Sequence, residues 1–153
     1  MSRTRTGLCP SSCRVLVPFA FLVGVGQAAC GIFGGGSDAK QTMLTSADNP
    51  AGQGTVQARA GDNGNTDLDV RVKHLAPPGK AAADATVYVV WIKPRNAELQ
   101  NVGALEIDDD LVGRLRTTTP HRSFTVTVTP EPSSRMGAPT HPAVFTAEVN
   151  RAE

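Results

Sequence analysis

A chain of 153 residues, 40% hydrophobic and 19% charged, has room for one ordinary domain and is too apolar to be disordered throughout. Its formal net charge of +1 offers no basic surface of the kind nucleic-acid binders carry, and an aromatic content of 5% argues against a platform for stacking bases or sugars. Fifteen glycines and eleven prolines point to many turns.

The first thirty residues read as an address. Arg3, Arg5 and Arg14 precede an apolar run from Val15 to Val23, which ends in Gly24-Val25-Gly26-Gln27-Ala28-Ala29-Cys30. A basic start, a short apolar stretch and small residues before a cleavage point make a secretory signal peptide over 1–29. The run is shorter than the ~20 residues that a membrane-spanning helix needs. Ala28-Ala29-Cys30-Gly31 resembles the bacterial lipobox, with Gln27 where an aliphatic residue is usual. That resemblance implies that Cys30 is lipidated and anchors the exported chain in a bacterial membrane, on its periplasmic or cell-surface side. Cys9 and Cys13 precede the cleavage point, so the mature chain has no disulfide and folds on its core alone. With the three leader arginines removed, 12 basic residues face 14 acidic ones. The mature chain is faintly acidic, and the lipid rather than charge is the expected anchor.

From residue 31 to 53 the composition shifts to Gly, Ser, Ala, Asp and Asn, which reads as a flexible tether. Gly34-Gly35-Gly36-Ser37 lacks the Gly-Lys-Ser/Thr ending of a phosphate-binding loop. A domain is expected over 54–153. It begins with a weakly alternating strand, Thr55–Ala60, and a hairpin turn at Gly61-Asp62-Asn63-Gly64-Asn65. Asp67–Lys73 alternates cleanly, with Leu68, Val70 and Val72 inward. Ala85–Ile92 is apolar almost throughout, so it is expected to be the central strand, buried on both faces. Val102–Ile107 and Gly113–Thr118 flank the acidic turn Asp108-Asp109-Asp110; Ser123–Thr129 and Val144–Val149 complete the set. Seven strands without a helical pattern predict an all-β, antiparallel, immunoglobulin-like sandwich, with Trp91 between its sheets.

Four segments in this order carry a resemblance: Tyr88-Val89-Val90-Trp91-Ile92, Val102-Gly103-Ala104-Leu105, Val126-Thr127-Val128-Thr129-Pro130-Glu131-Pro132 and Pro139-Thr140. Together they are similar to the extracytoplasmic C-terminal domain of RskA-type anti-sigma-K factors. The resemblance covers residues 54 to 150 and implies the same β-sandwich. Sigma-factor sequestration does not carry over, because the family's cytoplasmic helical domain has no counterpart in the matched segments.

The side chains that could carry chemistry are scattered. His121 and His141 precede different strands and are expected roughly 23 Å apart, the length of a seven-residue strand, which is too far to share a metal. His74 reads as a loop residue. Asp108–Asp110 and the segment from Asp62 to Asp67 read as solvated turns rather than calcium loops. There is no Gly-x-Ser-x-Gly nucleophile elbow. No catalytic residue, metal ligand or cofactor is expected. The long loop from Pro130 to Pro142, with Glu131, Arg135, Met136 and His141, is the candidate interaction surface. These features predict a non-enzymatic, lipid-anchored envelope protein that serves as an interaction or structural module, with an envelope protein as partner and no nucleic acid. An envelope enzyme and a metal-ion binder are the rival readings.

Overall fold

Period-two alternation becomes strand wherever the sequence shows it. The computed structural model describes residues 38–45 and 51–151. Among these the strands are β1 (Ala39–Thr45), β2 (Gln53–Ala60), β3 (Thr66–Lys73), β4 (Val87–Pro94), β5 (Gln100–Ala104), β6 (Glu106–Ile107), β7 (Gly113–Thr119), β8 (Ser123–Glu131) and β9 (Phe145–Asn150). One short helical turn, α1 (Pro78–Ala81), lies before β4. The signal peptide and Cys30 lie outside the described residues. No helix among the described residues is long and apolar enough to cross a membrane.

The all-β, antiparallel expectation holds, but the sandwich does not. All nine strands share one sheet in the order β5-β4-β8-β9-β1-β2-β3-β7-β6. Its two edge strands, β5 and β6, are consecutive in the chain and joined only by Leu105, so the sheet curls until its edges nearly meet. Leu105 is buried at that seam and its N–H donates to the Tyr88 carbonyl at 2.9 Å. The result is a nearly closed barrel rather than two stacked sheets. The count rises from seven to nine because Val102–Ile107 divides at Leu105 and because β1 lies in the stretch read as tether.

β1 stitches the barrel together. Ala39–Met43 pair with β2, while Leu44 and Thr45 pair with β9. Met43 is its one buried side chain, and it packs directly over Gly54, its partner across the ladder. A Cβ added at Gly54 would lie 2.8 Å from Met43 Cβ and 2.9 Å from its sulfur. Gly54→Ala is therefore expected to lower stability by about 1–3 kcal/mol through overpacking. Denaturant unfolding should show a lower midpoint with an unchanged slope.

The β2–β3 hairpin forms where Asn63-Gly64 predicts it. Gly61 N–H donates to Asn65 O at 2.9 Å, and Gly64 takes φ 76°, a conformation that favours glycine. Inside the barrel, Val56 and Ala58 of β2 meet Leu68, Val70 and Val72 of β3. Phe124, Val126 and Val128 of β8, with Phe145, Ala147 and Val149 of β9, fill the other side. These residues belong to a compact unit, Gly34–Glu153, with its own hydrophobic core.

β4 departs from expectation in two ways. It is next to the edge, between β5 and β8, rather than central. Its inward residues are Tyr88, Val90 and Ile92, so the pleat turns Val89 and Trp91 to the outer face. Trp91 is nevertheless 0% exposed. It is buried, but outside the barrel core rather than in it.

Candidate functional site

Something must cover the outer face of β4, and the connection between β8 and β9 is tied down across it. Antiparallel partners share a face, so Trp91 lies between Asn101 of β5 and Thr127 of β8. Asn101 Nδ2 donates to the carbonyls of Ser134 (3.0 Å) and Met136 (2.9 Å). On the other side, Trp91 Nε1 donates to the Thr129 hydroxyl at 2.9 Å, and Thr129 donates to Glu131 Oε1 at 2.6 Å. The connection from residue 132 to 144 thus spans from Asn101 to Glu131, over Trp91.

Glu131 is the anchor. β8 alternates, so Thr125, Thr127, Thr129 and Glu131 all face outward, yet Glu131 is 0% exposed. Its carboxyl accepts the Thr140 N–H at 3.0 and 3.2 Å, and also the Thr140 hydroxyl. Burial pushes this carboxyl up, but hydrogen bonds from the Thr129 and Thr140 hydroxyls and from the Thr140 and His141 amides outweigh it, and the net direction is down. A buried carboxylate is tolerable only with its acceptor sites filled in this way.

Three further bonds tie the end of β8 and the connection to the segment before β4. Thr86 N–H donates to Glu131 O at 2.9 Å, and the Thr86 hydroxyl to Pro132 O at 2.8 Å. His141 Nε2 lies 3.0 Å from Asp84 Oδ1, while its Nδ1 lies 3.1 Å from the Thr140 hydroxyl and 3.9 Å from Glu131. The order hydroxyl, imidazole, carboxylate resembles a nucleophile relay in outline only. Here the hydroxyl points its proton at a buried carboxylate, which leaves the oxygen poorly placed to attack.

The four candidate loop residues thus separate into two roles. Glu131 and His141 fasten the connection from within. Arg135 is exposed at its outer surface and Met136 is half-buried beside it. The sequence marks Glu131 as part of a proline-rich loop and Thr129 and Thr140 only as parts of the resemblance, and it gives no sign of Asp84 or Asn101. One signal was available: Thr129 and Glu131, two apart on β8, share the face onto which Trp91 projects.

The other candidates lie apart. His74 is exposed at φ 55°, just after β3. His121 precedes β8 and His141 precedes β9; with Ser123 paired to Asn150, they sit at opposite ends of this antiparallel pair. Asp108 Oδ1 caps its own turn, accepting from Asp110 N–H (3.2 Å) and Val112 N–H (2.9 Å), and its other oxygen lies 3.7 Å from Arg114. Among the described residues no three His, Cys, Asp or Glu side chains converge as metal ligands. A groove of about 480 Å³ crosses the outer face of β2, β3 and β7, where Arg116 donates to Asp69 at 3.0 Å and Arg59 to Gln57 at 3.0 Å. No family model matches the chain, and no curated protein matches it.

Proposed function

We propose that this chain is a non-enzymatic recognition module of a bacterial envelope, held to a membrane through a lipidated Cys30, with the 132–144 connection as its binding element. The observation that carries this reading is a long, outward-facing connection held at its start, middle and end by a buried carboxylate and by side chains from β5 and the segment before β4. Exposed loops ordinarily pay in conformational entropy on binding. One already ordered in the free protein avoids most of that loss. The leader sequence and the resemblance to the outer domain of RskA-type anti-sigma-K factors support an envelope location. Arg135 supplies a charged contact and Met136 an adaptable apolar one, a combination suited to a protein surface.

Affinity capture from the native envelope tests the recognition reading. The wild type and an Arg71→Glu variant, altered on β3 away from the connection, are expected to retain the same partner. Arg135→Glu is expected to lose it. Retention by Arg135→Glu, or equal loss with Arg71→Glu, contradicts the assignment. The anchor is tested separately: Cys30→Ser should appear in the soluble fraction or remain unprocessed, and a wild type that takes up no fatty-acid label would remove the lipid from the account.

A further inference from the structure

Around His141 the proton positions follow from what each neighbour can give. Trp91 donates to the Thr129 hydroxyl, so that hydroxyl directs its own proton to Glu131. Glu131 is held as a carboxylate and can only accept, so the Thr140 hydroxyl proton also points to it. The Thr140 oxygen then presents only lone pairs to His141 Nδ1, 3.1 Å away, and Nδ1 must donate. Across the ring, Nε2 faces an Asp84 carboxylate oxygen at 3.0 Å, which also accepts. Both ring nitrogens must carry protons for every bond to be made.

We propose that His141 is a pH-operated latch on the 132–144 connection, closed as an imidazolium and loosened as a neutral imidazole. The proposal rests on reading that connection as the binding element and adds how its order is regulated. Among the described residues two charged groups face the ring: Asp84, from the segment between α1 and β4, and Glu131, from β8 at 3.9 Å. Neutralising the ring leaves one proton for two bonds. If Nε2 loses it, the Asp84 contact becomes two acceptors face to face. If Nδ1 loses it, the Thr140 hydroxyl must turn away from Glu131 to satisfy the ring. The Asp84 side chain is 63% exposed whereas Glu131 is fully buried, so water replaces the Asp84 contact more readily. The loosening is therefore expected at residues 137–141 and not in the barrel.

The test is ¹⁵N relaxation on the folded unit 34–153 across a pH titration, with the His141 ring followed through its own resonances. Amides of Gly137, Ala138 and His141 are expected to show order parameters of roughly 0.85 while the ring is doubly protonated, falling below about 0.6 as it becomes neutral. The β8 amides should stay constant. His141→Gln should abolish the pH dependence of that order. Constant order in the wild type through the ring's titration overturns the latch, as does a pH dependence that survives His141→Gln. The wild-type titration decides the matter even if a variant fails to fold. No partner is present in this experiment, so its failure is separable from failure of the recognition reading.

Discussion

Trp91→Ala is expected to destabilise the protein by about 3–5 kcal/mol, the usual range for deleting a fully buried large aromatic. Trp91 fills the space between the sheet and the connection laid over it, and its indole N–H completes the chain of bonds to Glu131. Folded domains have only about 5–15 kcal/mol in total. No cysteine follows Cys30, so no disulfide within the folded unit supplements its core. The melting temperature should fall by more than about 10 °C. In the folded wild type, Trp91 emission should be blue-shifted and resistant to a soluble quencher. The barrel core does not contain Trp91, so native-like β-structure should persist in the variant below its transition. That outcome separates the observed outer position from the expected one between sheets, where loss of the side chain would hollow the main core.

Glu131→Ala is expected to cost about 1–3 kcal/mol, because the buried Thr129 hydroxyl is left without its acceptor. The Thr129 hydroxyl and the Thr140 amide and hydroxyl all lose their acceptor. The same carboxyl gives the protein an acid-sensitive component. Its folded-state value lies below the ordinary one, so the unfolded chain takes up the proton first as pH falls. Its contribution is complete above the ordinary carboxylate range and disappears as pH falls through that range to the folded value. Glu131→Gln removes this one-proton component. The acid limb of unfolding free energy against pH should be shallower in Glu131→Gln than in the wild type, and identical limbs would show that the carboxyl is not held by these bonds.

Where one face is wet and the other apolar, the strands were legible, because the pleat forces the alternation seen in Asp67–Lys73 and Ser123–Thr129. β1 was hidden because only Met43 of its seven residues is buried. What places it is backbone pairing with β2 and β9, which leaves almost no trace in side-chain pattern. The apolar run of β4 was read correctly as buried on both faces and wrongly as central. A second buried face can come from a loop as well as from neighbouring elements, and pattern alone does not distinguish them. Glu131 was selected in the sequence for its position in a proline-rich loop; its partners were not. Asp84, Asn101, Thr129 and Thr140 are remote from one another in sequence or chemically ordinary, and only the curl of the sheet gathers them.

Hydrogen exchange at two protons tests most directly the claim that the connection is locked over Trp91 by Glu131. The Thr140 amide and the Trp91 indole N–H both donate into the buried network. In the free protein near neutral pH, both are expected to exchange slowly, with protection approaching that of the β8 backbone amides. Exchange of these two protons at the rate of an unstructured peptide, with β8 still protected, would contradict the account: the connection would then be a mobile flap over an open face.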